Sequence, residues 1–255
     1  MLTIKRFYLH NRLRNYNYCL VNKQNQALII DPTDADLSIR FCLEHNLTPT
    51  QIWITHEDLD HYLGANQTSQ RFNIPIFCPE KMTPLFHQAT GYQHGDCIEF
   101  SDIKFNIVHL PGHTPLHHVF LEHDQRWLIS GDIIFNYGMG RVRQDQYRSM
   151  FEAIKWIKNI NEECVFLNAH DYDLANLAFA LTLQPNNKSL TQLIENIENL
   201  SEIDRPLTTL GEQKQYNPFF NTAHSAIIEA VKQQSLPFES EIDVFCSLRK
   251  WRDTF

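Results

Sequence analysis

Two imidazoles and three carboxylates lie within six residues in the stretch Thr55-His56-Glu57-Asp58-Leu59-Asp60-His61-Tyr62-Leu63-Gly64. Side chains of these two kinds, crowded this closely, repel or desolvate one another unless a cation joins them. A solvated acidic turn would account for the carboxylates but not for the histidines. The stretch therefore predicts a metal site in a loop that follows a strand.

Three further segments place candidate metal ligands just past short apolar runs. They read Leu110-Pro111-Gly112-His113-Thr114, Ser130-Gly131-Asp132 and Asn168-Ala169-His170-Asp171-Tyr172. Residues 119–121 and 127–129 flank a charged turn as in a β-hairpin, and residues 165–167 form another short β-favouring run. Loops that follow neighbouring strands meet at one rim of a fold, so these segments predict one shared site.

The order of the four segments resembles the metallo-β-lactamase superfamily, which has an HxHxDH loop, a PGHT histidine, a GD aspartate and a late histidine in this sequence order. Residues 170–181 and 184–187 are similar to a narrower pattern, the glyoxalase II stretch GHEYT-x-x-N-L-x-F-A…P-x-N. Residues 209–214, 217–219 and 248–255 are similar to the helical domain and C-terminus of the same family. The chain therefore resembles glyoxalase II (hydroxyacylglutathione hydrolase) nearly end to end.

Residue patterning predicts an α+β fold. β-favouring runs cover residues 27–30, 51–54, 74–78 and 103–108, while residues 36–45 and 150–157 carry helical spacing. From about Leu174 the strand signal stops, and helices are predicted over 174–183, 190–200, 223–231 and 242–251, separated by prolines. Together with the resemblance, this predicts a metallo-β-lactamase αββα sandwich over residues 1–172 and a small all-helical C-terminal domain over residues 173–255. The metal site would lie at their junction.

Composition narrows the class of protein. The formal net charge of −8 gives no support for a nucleic-acid or anionic-membrane partner, because surfaces that bind these need clustered lysine and arginine. No apolar run approaches the roughly 20 residues that a membrane helix needs, and the opening residues lack a secretory pattern. The six cysteines form no CxxC pair, which indicates reduced, mostly buried thiols rather than a disulfide scaffold. We expect a cytoplasmic, monomeric enzyme.

The resemblance implies a site for two divalent metal ions. One ion would be held by His56, Asp58 and His113, and the other by Asp60, His61 and His170, with Asp132 bridging them. Position 58 departs from the family, which has histidine there. Two divalent cations, three carboxylates and a bridging hydroxide sum to zero charge, whereas five histidines with two aspartates leave one positive charge. The harder, more anionic site favours iron or manganese over zinc.

The resemblance also implies an activity, the hydrolysis of S-2-hydroxyacylglutathiones such as S-D-lactoylglutathione in methylglyoxal detoxification. A metal-bound hydroxide would attack the thioester carbonyl, with Asp60 and Asp132 as the catalytic residues and Asp60 also orienting the attacking water. Glutathione would be held by Arg141, Tyr172, Arg249 and Arg252. The two last arginines share a helix face at i, i+3 and could grip the glycyl carboxylate, or form a solvated basic helix end.

Several alternatives stay open at this point. Met139 stands where the family has cysteine and Arg143 where it has an aromatic residue, so the thiol partner could differ from glutathione. A carboxylate at position 58 is also similar to flavodiiron proteins, di-iron redox enzymes with an HxExDH motif, although those need a flavodoxin-like domain for which this chain has no room. A binding protein with a decayed metal site is the third alternative.

Two further residues, His117 and Asp31, are expected to support the predicted metal site without binding metal. His117 matches the second histidine of the family's GHTxGH motif, and we expect it to support a ligand rather than bind metal. Asp31 ends an apolar run and resembles the family's VDPG turn, so we expect it to shape a loop.

Overall fold

The computed structural model describes residues 2–143 and 145–255, which form two facing β-sheets with helices on their outer sides. The first sheet consists, in spatial order, of β1 (Thr3–Tyr8), β2 (Tyr16–Val21), β3 (Gln26–Ile30), β4 (Thr48–Trp53), β5 (Ile76–Pro79) and β6 (Ala89–Tyr92). The second contains β7 (Cys97–Phe100), β8 (Ile103–His109), β9 (His118–Glu122), β10 (Trp127–Gly131) and β13 (Val165–Asn168), in the order β13-β10-β9-β8-β7. A ribbon of β11 (Ile134–Phe135) and β12 (Gly138–Met139) lies between β10 and β13 in sequence.

The helices cover the two sheets and then continue alone to the end of the chain. They are α1 (Ala35–Glu44), α2 (Leu59–Tyr62), α3 (Ala65–Phe72), α4 (Tyr147–Lys158), α5 (Asp173–Leu183), α6 (Lys188–Glu198), α7 (Leu210–Tyr216), α8 (Ser225–Gln233) and α9 (Glu241–Thr254). Short 3-10 turns occupy Glu80–Leu85, Glu202–Asp204 and Pro218–Phe220.

The first sheet contributes side chains to two apolar cores, one on each of its faces. Leu28 and Ile30 of β3 pack between the sheets, in a cluster that includes Trp53 and Phe120. Their neighbour Ile29 points to the opposite face and joins the cluster under α1 and α3. Successive strand residues face opposite sides, so a strand that is apolar throughout must be covered on both. This is the physical basis of the αββα layering, and it confirms the predicted α+β metallo-β-lactamase fold.

The sequence prediction located most of the longer elements. It missed strands β1, β2, β6 and β7, the short ribbon of β11 and β12, and helices α2, α3 and α7. The predicted helix at 150–157 lies within α4, and the predicted hairpin is the antiparallel pair β9 and β10. Strands β1 and β2 were not predicted, because polar residues such as Arg6 and Asn17 interrupt their apolar pattern. The buried Asn17 amide donates to the carbonyl of Asp31, so its polarity is satisfied inside the fold.

The helical C-terminal segment packs onto the sandwich through a shared core. Phe245 of α9 lies 5.3 Å from Phe151 of α4, ring centre to ring centre, in the same apolar cluster as Phe166 of β13. In the described residues after β13 all regular elements are helical, as predicted. The division of the chain at residue 173 stays a prediction, because the two parts bury one continuous core.

The cysteines are free thiols, and Cys19, Cys42, Cys78 and Cys164 are buried, as expected. Across residues 2–143 and 145–255, no helix has both the length and the apolar character that crossing a bilayer requires.

The ends of four strands bring the candidate ligands to one edge. Strands β3 and β4 run parallel, as do β10 and β13, so their carboxyl ends lie on the same side of each sheet. Asp31 follows β3, His56 follows β4, Asp132 follows β10 and His170 follows β13. The backbone N–H of His118 donates to the carbonyl of Thr55 at 3.0 Å and joins the two sheets at this edge.

Candidate metal centre

The hydrogen bonds of His56 and His61 assign which ring nitrogen carries the proton. The Thr55 hydroxyl donates to Oδ2 of Asp31 at 2.6 Å, so its oxygen accepts from Nδ1 of His56 at 2.8 Å. Nδ1 of His61 donates to the same Asp31 oxygen at 2.9 Å. In their neutral form both imidazoles therefore carry the free lone pair on Nε2, which is the form that binds metal.

His113 and His170 are oriented in the same way by backbone carbonyls. Nδ1 of His113 donates to the carbonyl of Arg141 at 2.9 Å, and Nδ1 of His170 donates to that of Leu13 at 2.8 Å. A ligating histidine commonly fixes its ring through such a bond from its other nitrogen. All four imidazoles thus present Nε2 to one place.

The candidate ligands converge in two groups with one aspartate between them. One group is His56, His113 and Asp132, and the other is Asp60, His61 and His170; within each, the ligand atoms lie within 4.8 Å of one another. The Asp132 carboxylate also reaches the second group, with Oδ1 3.3 Å from Nε2 of His61 and Oδ2 3.1 Å from Nε2 of His170. Asp132 therefore lies between the two groups.

These residues fit a divalent metal. Nε2 of His56, Nε2 of His61 and Oδ1 of Asp132 are buried and have no hydrogen-bond partner within the described part of the chain. Buried polar atoms without partners are costly, and so is a neutral imidazole whose Nε2 lone pair faces a carboxylate oxygen. A cation at the point of convergence removes both costs, and imidazole with carboxylate is a donor set that zinc, iron and manganese accept.

Burial and charge together set the protonation of the centre. Burial lowers the pKa of His56 well below its ordinary value, and neighbouring His61 lowers it further. Burial also acts to lower the pKa of His61, but the carboxylates of Asp132 and Asp31 outweigh it and raise that pKa. Burial acts to raise the pKa of Asp132, yet His170 and His61 bring it well below the ordinary range. Asp132 is therefore ionised and favours positive charge on the neighbouring imidazoles.

Asp58 lies where its sequence position predicts, at the edge of the first group. Its Oδ2 is 3.0 Å from Nε2 of His113 and 3.9 Å from Nε2 of His56. The nearby His113 imidazole lowers the pKa of Asp58, against the opposing effect of partial burial. An ionised oxygen thus faces the point where the family has an imidazole nitrogen.

Two residues around the candidate ligands were missed or only partly identified from the sequence. Asp31, expected to shape a loop, also orients His61 directly. Asn15 was not identified at all, and its amide donates to Oδ2 of Asp60 at 2.9 Å. Nothing in the sequence links Asn15 to Asp60, because their contact depends on how the loop between β1 and β2 packs.

His117 supports Asp132, as expected. Its Nε2 accepts from the backbone N–H of Asp132 at 3.0 Å. Gly131 makes this approach possible: its φ is 49°, and a Cβ there would lie 2.7 Å from Nε2 of His117. A side chain at this position would displace the histidine and the aspartate that it holds.

A cavity of about 930 Å³ opens over the centre and includes every predicted substrate-binding residue. Arg141, Tyr172, Arg249 and Arg252 line it together with Asp58, Asp60, His113, Asp132 and His170. The Tyr172 ring stacks on His170 at 5.1 Å. The predicted substrate and metal residues therefore share one space.

The two arginines of α9 differ in availability. Arg249 is 5% exposed and donates to the carbonyl of Met139 at 3.0 Å and to Asp253 at 2.8 Å. Arg252 is half-buried and donates only longer bonds, at 3.2 and 3.4 Å, to Oδ1 of Asn176. From the sequence the two arginines were expected to act alike. In the fold, the Arg249 guanidinium is largely engaged in hydrogen bonds within the protein.

Comparison with known families accounts for both parts of the chain. Residues 11–170 match the family model of the metallo-beta-lactamase superfamily, and residues 171–255 match that of the hydroxyacylglutathione hydrolase C-terminus. A hydroxyacylglutathione hydrolase of Marinomonas sp. (strain MWYL1) is 33% identical over 94% of this chain and 95% of the relative. The chain belongs to the hydroxyacylglutathione hydrolase family. The predicted resemblance is thus confirmed.

Other members and a solved structure agree with this assignment. The hydroxyacylglutathione hydrolase of Nitrosomonas eutropha is 32% identical over 92% of this chain and 93% of the relative. A crystal structure of a metallo-beta-lactamase from Staphylococcus aureus superposes with a TM-score of 0.65 at 26% identity, covering 99% of this chain and 71% of that one. Within a family of this fold, the converging imidazoles and carboxylates form the candidate centre for divalent metal.

Proposed function

We propose that this hydroxyacylglutathione hydrolase family member is a metal-dependent thioester hydrolase that cleaves S-2-hydroxyacylglutathiones, most readily S-D-lactoylglutathione, to glutathione and a 2-hydroxy acid. The observation that carries the proposal is the convergence of four imidazoles, from His56, His61, His113 and His170, with the carboxylates of Asp60 and Asp132, beside a cavity lined by arginines. The relatives that span nearly the whole chain bear the name of this activity.

The metal centre in this proposal holds two divalent ions, with His56, Asp58 and His113 around one, Asp60, His61 and His170 around the other, and Asp132 shared. Bound there, the ions would polarise the thioester carbonyl and make water a nucleophile at neutral pH. Asp58 supplies the third carboxylate, an oxygen ligand in place of an imidazole. This favours iron or manganese over zinc.

The protein's own groups have distinct parts in the proposed reaction. Asp60 is held by the amide of Asn15 at 2.9 Å and orients water toward the carbonyl carbon, while Asp132 joins the two halves of the centre. Arg252 and the exposed Arg141 bind the glycyl carboxylate of glutathione, and Tyr172 lines the path between. A thiolate with a pKa of ~8.5 can leave without a proton donor, so the cavity needs no general acid.

We also propose that the protein works in the cytoplasm as a monomer, with a small molecule as its partner. The net charge of −8 supports the absence of a nucleic-acid partner, because such surfaces need clustered basic residues. Light scattering of the purified protein at micromolar concentration tests the monomer, and a mass of two chains would contradict it.

The decisive experiment is hydrolysis of S-D-lactoylglutathione by protein that has been stripped of metal and reloaded separately with zinc, iron(II) or manganese. We expect turnover with metal and none without, and higher turnover with iron or manganese than with zinc. The matched control is Asp132→Asn, which keeps the size of the side chain and removes the shared charge. Turnover that is equal in the stripped protein would overturn the proposal.

A second substrate distinguishes glutathione from another thiol carrier. A thioester of the same acyl group on coenzyme A lacks the glycyl carboxylate, so we expect it to be cleaved much more slowly. Faster cleavage of the coenzyme A thioester would assign the protein to another thiol carrier. Elemental analysis of the protein as purified tests the metal preference, and two zinc ions per chain with no other metal would contradict it.

A further inference from the structure

Asp58 and Arg143 depart together from the family pattern, and the fold brings them together. Asp58 stands where the family has histidine, and Arg143 where it has an aromatic residue. Nη2 of Arg143 lies 3.4 Å from Oδ1 of Asp58, although 85 residues of sequence separate them. The side chain that adds a negative charge to the centre thus has a positive partner.

The two oxygens of Asp58 face different neighbours. Oδ2 points into the centre, 3.0 Å from Nε2 of His113 and 3.9 Å from Nε2 of His56. Oδ1 points outward to the guanidinium of Arg143. The Asp58 side chain is 33% exposed and that of Arg143 is 55% exposed, so the pair lies at the rim of the centre and not inside it.

We propose that Arg143 is a positioning residue of the metal centre: it engages Oδ1 of Asp58, so that Asp58 offers the single oxygen Oδ2 to a metal, as a histidine would offer one nitrogen. It also supplies one positive charge beside the additional carboxylate. The inference rests on the proposed function, because it requires Asp58 to be a metal ligand.

Arg143 affects the metal preference of the centre through the number of oxygens that Asp58 can offer. Manganese takes six ligands with many oxygens, whereas zinc in protein sites is satisfied by about four, so a carboxylate free to bind through both oxygens favours manganese over zinc. Arg143 restrains Asp58 from this mode. Its removal should therefore raise the affinity for manganese relative to zinc. A change in overall charge alone acts on both divalent ions alike and leaves their ratio unchanged.

The test is a double-mutant cycle read out by metal affinity. Dissociation constants for Mn²⁺ and Zn²⁺ are measured by competition with a chelator for the unmodified protein, Arg143→Gln, Asp58→His and the double variant. We expect Arg143→Gln to shift the affinity ratio toward manganese by about two- to fivefold, the range of an exposed ion pair. In the Asp58→His background the same substitution should leave the ratio unchanged, because no carboxylate is present to be released.

Two control variants complete the design. Arg143→Lys keeps the charge and a donor and should stay close to the unmodified ratio, and Arg40→Gln removes an exposed arginine of α1 and should have no effect. All variants are compared by thermal melting without metal, where Arg143→Gln should match the unmodified protein since its side chain is exposed.

The outcomes separate this inference from the proposed function. An equal shift in both backgrounds, or no shift in either, overturns the part assigned to Arg143 while leaving the metal centre intact. If the unmodified protein binds neither ion, the metal centre itself is wrong and this inference falls with it.

Discussion

Oδ2 of Asp31 accepts a hydrogen bond from Nδ1 of His61 at 2.9 Å. The same carboxylate accepts from the backbone N–H of Thr55 at 2.7 Å and from its hydroxyl at 2.6 Å. Asp31 itself sits in the left-handed region with a φ of 45°. One side chain at the end of β3 therefore fixes the loop that carries the candidate ligands and also the ring of His61, a candidate ligand within that loop.

Asp31→Asn should weaken metal binding by about 10–100-fold, the usual effect of removing the partner of a ligating histidine. The amide offers one oxygen where three donors converge, so the His61 ring loses its fixed orientation and its proton assignment. Asparagine tolerates a positive φ, so the turn itself should survive. Chelator competition measures the affinity, and Asp36→Asn on the exposed face of α1 is the matched control. Equal affinities for both variants would show that Asp31 only shapes the loop.

Arg252→Ala should raise KM for S-D-lactoylglutathione by roughly tenfold or more, the worth of a charged hydrogen bond. It should have little effect on KM for a short thioester of the same acyl group that lacks the glycyl carboxylate. Steady-state kinetics with both substrates measures the difference, and Arg252→Lys should recover part of it. The same rise for both substrates would assign Arg252 to structure.

Arg249 provides the contrast within the same helix. Because it donates to the Met139 carbonyl and to Asp253 from a buried position, Arg249→Ala should lower the free energy of unfolding by about 1–3 kcal/mol. Urea denaturation measures this loss. A selective rise in KM for the glutathione thioester with unchanged stability would return Arg249 to substrate binding.

Asp173→Asn should change the pH dependence of stability. Burial raises the pKa of Asp173 to about 7, its Oδ2 accepts from Asn136 at 2.9 Å, and its buried Oδ1 has no partner among the described residues. Because the folded pKa lies above the unfolded value, the folded chain holds an additional proton between about pH 4 and pH 7. This group's contribution to stability is present at acid pH and is lost as the pH rises through that window.

Asparagine resembles the neutral acid and removes this loss. The unfolding free energy of the variant minus that of the unmodified protein should increase by about 2–3 kcal/mol from pH 5 to pH 8. Urea denaturation of metal-free protein at both pH values measures it, with Asp102→Asn at an exposed position as control. Parallel pH profiles for the variant and the unmodified protein would show that Asp173 is ionised in the folded chain.

Much of the candidate site could be predicted from the sequence because its candidate ligands lie in short loops directly after strands. In such loops a residue's position along the chain nearly fixes its place in space, which is why His56, His113, Asp132 and His170 converge as predicted. The fold class was predictable for a similar reason, since fully apolar strands must be covered on both faces. Strands β1 and β2 were missed where buried polar side chains break that pattern.

The sequence by itself determined which chemical groups the centre contains, the strand-end loops that carry them and the family to which they belong. Only the tertiary structure decided how those groups are held. Asn15 donates a hydrogen bond to Asp60, Arg143 to Asp58 and Arg249 to the carbonyl of Met139 because segments far apart in sequence pack at one edge. Residue spacing along the chain determines which side chains one loop places at the edge of the sheet. A hydrogen bond between two loops depends instead on the packing of every layer between them.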